Sequence, residues 1–441
     1  MPPGPAGKPL SGWVVQRLFR SVATPGALLL VSGCFGNVTV DRTTTGSGGA
    51  TTAAAASSSG GAGGDTSTGG GDTSTGGGAP RCIAAGFAAG GTYGAVPGLT
   101  VSAQIALTLS DMDGDGDLDL TQCFDLGYGA VRILLNRGDG TFAAKVDHDS
   151  MGTEPNGMAV GDLDGDGRPD VFVTSDYLGA SSFLVRQNQG DGTLGDQLFL
   201  SEGPFKPVVG DLNGDKKPEV VGIVGGSFVR VQSNLTLEAF GEIIGTAVDY
   251  QVPVTGAVTL GDLNGDGALD LVGMDTSGGA ADDGIVRVLL NNGDGTLAAA
   301  GSYPAKGVGV KVADLNGDGK PDVVTDGVSV LLNNGDGTLA PAITHAFYGD
   351  ASYYRPSELA VGDLNGDKLL DLAFVDTSDH TVKVLLNAGD GTFLTTEFDY
   401  PPERKAMQVV MGDLNGDKKP DLAIANGDGT VTVLFNETCA L

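Results

Sequence analysis

One tryptophan, three histidines and four cysteines are spread over 441 residues, and aromatic residues make up only 6% of the chain. The histidines, His148, His345 and His380, lie far apart in sequence and share no motif, so no general base is marked out beside a nucleophile. A serine nucleophile elbow, a phosphate-binding glycine loop and a histidine-rich metal motif are all missing. Bases are scarce as well. There are 25 Lys and Arg against 55 Asp and Glu, a formal charge of −30. Phosphate backbones are recognised by clustered Lys and Arg, so this balance excludes general nucleic-acid binding. Nowhere is there an unbroken apolar run of about 18 residues, the length a membrane-spanning helix needs.

The first thing present is a leader. Lys8, Arg17 and Arg20 precede a short apolar run from Val22 to Val31, which ends in Val31-Ser32-Gly33-Cys34. The run is too short to cross a bilayer and fits the core of a signal peptide. Small residues directly before a cysteine resemble the bacterial lipobox, so residues 1–33 read as a lipoprotein signal peptide and Cys34 as the lipidated new amino terminus. Phe35 follows the cysteine where an Asp would favour retention at the inner membrane. The resemblance therefore implies secretion, with the outer membrane or cell surface as destination. Residues 34–80 are Gly, Ser, Thr and Ala in the main, with a tandem copy of Asp-Thr-Ser-Thr-Gly-Gly-Gly from Asp65 and again from Asp72. Such a composition buries no core and reads as a flexible tether.

From residue 81 to 441 the chain is a repeat. The motif Asp-x-(Asp/Asn)-Gly-Asp-x-x-x-(Asp/Glu) begins at Asp111, Asp162, Asp211, Asp262, Asp314, Asp363 and Asp413, at intervals of 51, 49, 51, 52, 49 and 50 residues. In the sixth copy a strand from Glu358 runs into the acidic loop, Asp371-Leu-Ala-Phe-Val returns, Thr381–Asn387 alternates with period two, and a fourth strand spans Phe393 to Tyr400. Four short strands with Gly and Asn turns make one blade. Seven of them predict an all-β domain, a seven-bladed β-propeller. The seventh repeat stops after its third strand, at Asn436. Ala85–Ala89 looks like the start of a fourth strand at Gly140–Ala144, so the amino-terminal segment is expected to complete the last blade.

Of the 55 acids, 24 lie in these seven loops. Clustered carboxylates are costly without a cation, and calcium takes six to eight hard oxygen ligands. Positions 1, 3, 5 and 9 offer side-chain oxygens, and position 7 offers its backbone carbonyl. The expected ligands are Asp111, Asp113, Asp115, Asp117 and Asp119 in the first loop. The second has Asp162, Asp164, Asp166, Arg168 and Asp170, and the third Asp211, Asn213, Asp215, Lys217 and Glu219. In the fourth they are Asp262, Asn264, Asp266, Ala268 and Asp270, and in the fifth Asp314, Asn316, Asp318, Lys320 and Asp322. The sixth supplies Asp363, Asn365, Asp367, Leu369 and Asp371, and the seventh Asp413, Asn415, Asp417, Lys419 and Asp421. An EF-hand would need Glu at position 12, where the fifth loop has Thr325, and helical flanks.

The repeats resemble the FG-GAP/VCBS repeats of bacterial secreted proteins, related to the integrin α-chain propeller. The resemblance runs from about residue 100 to Asn436 and implies up to seven structural calcium ions, one between strands 1 and 2 of each blade. The departures are Glu219 as closing acid of the third loop, and Lys216, Lys368 and Lys418 at position 6, where Gly is easiest; weaker binding is expected in those three loops.

A second motif, Asn-x-Gly-Asp-Gly-Thr, recurs at Asn136, Asn188, Asn291, Asn333 and Asn387 and reads as the hairpin turn between strands 3 and 4. The third repeat has Ser233-Asn-Leu-Thr instead, and in the seventh a related turn at Asn426 lies one hairpin earlier. Arg137-Gly138-Asp139 spells an integrin-recognition tripeptide, but it sits inside that turn template. Aligning the missing fourth strand places Cys82 nearly opposite Cys439, an expected disulfide in an exported protein, with Cys123 left as a buried thiol. The loops that vary lie at the end of the blades away from the acidic loops. Tyr128, Tyr177, Tyr348, Tyr353, Tyr354 and Arg355 fall there and are the expected contacts for a protein or glycan partner. The function predicted is a non-enzymatic binding or adhesion scaffold at the cell surface. A lectin or polysaccharide-lyase-like enzyme on the same propeller is the alternative, disfavoured because the only Trp is in the leader.

Overall fold

A computed structural model of the chain describes residues 32–33, 86–94, 106–125, 129–144, 146–149, 155–177, 180–200, 205–225, 227–237, 243–278, 283–345, 359–376, 380–397 and 405–437. It is a seven-bladed β-propeller, and among the described residues it contains no helix. Each blade is an antiparallel meander of four strands. Blade one is Ala106–Ser110, Asp119–Asp125, Gly129–Leu134 and Val146–Asp149, in that order from the axis outward, and blades two to six repeat the order. Blade two also carries a two-residue strand, Ser32–Gly33, on the channel edge of its inner strand Pro155–Gly161. The lipobox reading would remove those two residues with the leader.

Blade seven closes the ring. Its first three strands, Ala406–Gly412, Asp421–Asn426 and Val431–Asn436, come from the carboxyl end, and Phe87–Tyr93 supplies the outer one. Phe87 pairs with Asn436 and Tyr93 with Val431, and the Glu437 N–H donates to the Gly86 carbonyl at 2.8 Å. The expected closure is thus present, and the amino-terminal strand enters at the loop end of the blade.

Both faces of the second strands are covered, so most of them read as apolar runs rather than alternating ones, as in Asp371–Asp376 and Asp421–Asn426; blade one departs from this with Thr121 and Gln122 buried in mid-strand. In blade six, Ala373 and Val375 pack toward blade seven while Leu372 and Phe374 pack toward blade five. The core is accordingly divided into seven apolar clusters, one at each seam between blades. The inner strands end in small residues because the next blade leans over them. A Cβ on Gly261 would lie 2.6 Å from Val312 Cγ1 of blade five. One on Gly412 would lie 2.7 Å from Leu109 Cδ1 of blade one, and one on Gly362 would lie 2.4 Å from Met411 Sδ of blade seven.

One buried cation secures the closing seam. Arg132, wholly buried in blade one, donates to Asp147 Oδ1 at 2.6 Å and Oδ2 at 3.2 Å. It also donates to the Gly94 carbonyl at 2.7 Å and to the Gly429 carbonyl of blade seven at 2.8 Å. Its guanidinium lies 4.5 Å from the centre of the Phe124 ring.

Candidate metal centre

Each acidic loop is held open by its own carboxylates. The position-1 Asp accepts from the N–H groups of positions 4 and 6, as when Asp314 takes Gly317 at 2.8 Å and Gly319 at 2.9 Å. Positions 3 and 5 each accept from the amide two residues on, Asp318 to Asn316 and Lys320 to Asp318, both at 2.9 Å. All seven loops repeat the pattern. It turns the backbone through a left-handed conformation at positions 4 and 6: Gly317 has φ +75° and Gly319 has φ +82°. Lys216, Lys368 and Lys418 adopt the same conformation at position 6, with φ of 70°, 71° and 69°. A side chain there costs about 1 kcal/mol or somewhat more, but the loop keeps its shape.

Within this frame the carboxylates converge. In the first loop one oxygen each of Asp111, Asp113 and Asp115 lie within 4.8 Å of one another, and Asp162, Asp164 and Asp166 do the same in the second. The other five have Asn at position 3. There the amide stands in for positive charge, with Asn264 Nδ2 on Asp266 Oδ2 at 2.9 Å and Asn365 Nδ2 on Asp367 Oδ2 at 3.2 Å. Position-7 side chains do likewise: Arg168 pairs with Asp166, and Lys320 Nζ lies 3.5 Å from Asp318 Oδ2. The donor set is hard oxygen on a small concave loop, which fits calcium. Positions 1, 3, 5 and 9 would hold the ion by side-chain oxygen, and the position-7 carbonyl would complete the set.

The closing acid at position 9 differs from the rest because it is buried, at 0–1% exposure in every loop. One oxygen accepts the N–H of position 2 in its own loop, at 2.7–3.1 Å. In six blades the other accepts the N–H of an asparagine at the end of strand 3, at 2.7–2.9 Å. Glu219 is longer and takes Asn213 Nδ2 instead at 2.8 Å. Burial drives these carboxyls up: Asp119, Glu219 and Asp371 to about 7, Asp170 to about 8 and Asp421 to about 6. Their amide bonds oppose the shift, and other acids of the same loop add to it.

The asparagines are more than turn residues. The turns exist, as in Asn334 N–H to Thr338 O at 3.0 Å, and Asn333 Oδ1 shapes its own by accepting from Gly335 N–H at 2.8 Å. But Asn333 Nδ2 also donates across the seam, to the Leu263 carbonyl of blade four at 2.9 Å, and to Pro321 O in its own blade at 2.9 Å. In blade seven Asn436 takes this place while the Asn426 turn sits one hairpin earlier. In blade three the asparagine is not lost. Gln232 pairs with Val220 as Leu289 pairs with Leu271 in blade four, so Asn234 stands at the same register as Asn291. Only the Gly-Asp-Gly turn is missing there. Sequence reading passed over the position-2 residue too, although it is apolar in all seven copies of an otherwise acidic loop.

Arg137 of the integrin-type tripeptide is folded onto its own turn, with Nη1 on the Phe142 carbonyl at 2.7 Å, and Asp139 Oδ1 accepts from the Thr141 N–H at 2.9 Å. Cys123 is a buried thiol, as expected, at 1% exposure. The three histidines, among which the sequence marks out no general base, are kept apart in the fold. Each lies half-buried at a seam: His148 accepts from the Leu194 N–H at 3.4 Å, His345 Nε2 lies 3.2 Å from Gly391 O, and His380 Nδ1 lies 3.3 Å from Ala406 O. Cys34, Cys82, Cys439, Tyr128, Tyr348, Tyr353, Tyr354 and Arg355 lie outside the described residues, as does the side chain of Tyr177.

A family model described as an FG-GAP-like repeat matches residues 111–173, 162–222, 262–325, 314–374 and 363–424, which take in all seven loops. No curated protein matches the chain. Among solved structures, a lectin described as BP39L from Burkholderia pseudomallei is similar at 15% identity and TM-score 0.52, over 77% of this chain and 97% of its own. BamB from Moraxella catarrhalis is similar at 11% identity and TM-score 0.40, over 79% of this chain and 99% of its own. The likeness to the lectin is one of fold.

Proposed function

Because the chain belongs to the FG-GAP-like repeat family, we propose that it is a calcium-held binding scaffold, anchored by lipid at Cys34 and displayed on a tether at the cell surface. The observation that carries this reading is the seven acidic loops, which share one internal hydrogen-bonding frame and one end of the propeller. Such repetition suits a structural role for the metal. The end opposite the loops is the one proposed to meet a protein or glycan partner, through the tyrosines and Arg355 named above. The histidines sit at separate seams, which supports a scaffold over an enzyme. The lectin's shared fold keeps glycans within the partner class.

The test is metal content and melting. The purified chain is expected to carry several equivalents of calcium by elemental mass spectrometry and to melt lower after chelation. An unchanged melting curve together with no co-purifying metal overturns the reading. A glycan array run beside a lyase assay on acidic polysaccharides separates binding from cleavage.

A further inference from the structure

Hydrogen bonds in series join each acidic loop to the next across six of the seven seams. In blade four, Asp270 holds the Leu263 N–H at 2.8 Å. The Leu263 carbonyl accepts from Asn333 Nδ2 of blade five at 2.9 Å, and the Asn333 N–H is held by Asp322 Oδ1 at 2.7 Å. Asp322 Oδ2 in turn holds the Leu315 N–H at 3.0 Å, and the Leu315 carbonyl accepts from Asn387 Nδ2 of blade six at 2.6 Å. The same step recurs from Met112 to Asn188, Leu212 to Asn291, Leu364 to Asn436, and across the closing seam from Leu414 to Asn136, at 2.7–2.9 Å. Six of the seven seams show it; at the remaining one Asn234 stands at the corresponding register, and its side chain lies outside the described residues.

Between one closing acid and the next stand only a position-2 residue and an asparagine, both nearly buried. Every polar hydrogen of Asn333 is committed: its N–H to its own loop's acid, one side-chain hydrogen to its own blade and one to the previous loop. An aspartate of the same shape could not donate. Buried hydrogen bonds in series polarise one another.

We propose that these asparagines are positioning residues that couple cation binding in each loop to the loop of the next blade. The proposal rests on the calcium reading. Seven dications gathered on one end of the molecule repel one another, so unlinked loops would fill with falling affinity. With the relay, a filled loop fixes its closing acid, and through position 2 fixes the asparagine that sets the next acid. The second ion then meets a site already ordered, and neighbouring loops fill cooperatively.

Hydrogen exchange of the full chain, followed by mass spectrometry across a calcium titration, reads each loop separately. Removing the blade-four site with Asp262→Ala and Asp266→Ala is expected to raise the calcium midpoint of the blade-five loop peptide by about fivefold or more, while the blade-one loop is unmoved. Adding Asn333→Ala should abolish that dependence, which a merely structural asparagine would leave in place. The same cycle with Asp314→Ala, Asp318→Ala and Asn387→Ala tests the next seam if Asn333→Ala does not fold. A blade-five midpoint indifferent to the blade-four site, with every loop still responding to calcium, overturns the coupling alone. No calcium response in any loop overturns the calcium reading and the coupling with it.

Discussion

At Gly261 the chain has no room for a methyl group. The obstruction is Val312 Cγ1, on a partly buried β-branched side chain packed against the apolar cluster of the blade four–five seam, which leaves it few other rotamers. Gly261→Ala is expected to destabilise the domain by about 1–3 kcal/mol, as overpacked cores do, and Val312→Ala in the same chain should recover part of the loss. Equal melting of Gly261→Ala and the parent would contradict the packing described. Arg132 fails in a different way when altered. It is a buried charge whose partners come from three remote segments, at Gly94, Asp147 and Gly429. Arg132→Met keeps the apolar stem but leaves two carbonyls and a carboxylate without their donor. Urea denaturation should show a loss of about 3 kcal/mol or more, larger than for removal of a more exposed pair outside the acidic loops such as Arg230 with Asp249. Both residues occupy repeated positions: Gly261 precedes the first acid of its loop as Gly161, Gly210, Gly362 and Gly412 do, and Arg132 stands four residues before its asparagine as Arg230 and Arg287 stand before theirs. What the sequence does not show is the partner each meets across a seam, Val312 for Gly261 and the Gly429 carbonyl for Arg132.

The acidic loop is the element the sequence displayed most openly, because its geometry demands particular residues at fixed spacing in every copy. The loop–strand order and the borrowed strand of blade seven were legible for the same reason: a repeat shows what its last copy lacks. The asparagine was legible as a turn but not as a clamp, since its second partner lies about 70 residues away in the preceding blade. The loop also has a pH dependence of known sign. The closing acids of blades one, two, three, six and seven are raised to between about 6 and about 8 in the metal-free fold. The folded state therefore holds protons that the unfolded chain has already released. Their contribution is fully present below the ordinary carboxylate range and is lost as pH rises through the folded values. Chelated protein should accordingly melt higher near about pH 5.5 than near about pH 8. Calcium competes with those protons, so the gap between calcium-loaded and chelated melting should widen over the same rise. Calorimetry at the two pH values checks both trends, and a gap that narrows toward alkaline pH counts against carboxylate ligation.

The whole molecule is a ring, and where its chain is discontinuous decides how the ring opens. In the natural order the break falls inside blade seven, between Phe87–Tyr93 and Val431–Asn436, where a backbone ladder bridges it. Fastening there joins residues some 340 positions apart, so the ends of the chain lock every blade between them. A circular permutant of the propeller moves the break and keeps every strand of the seven blades. Joining Glu437 to Gly86 through a two-residue turn and opening the chain within residues 398–404 makes blade seven continuous and puts the gap at the blade six–seven seam. That seam keeps its apolar cluster and the Asn436 clamp, but no ladder crosses it. The permutant should fold with the same calcium content and lose cooperativity. Its melting temperature is expected to fall by about 5 °C or more. Exchange protection should drop first in the strand Ala360–Gly362 and in Ala406–Gly412, which face each other across the gap. If calorimetry finds one transition at the parental temperature, seam packing alone holds the ring, and the borrowed strand does no more than complete a blade.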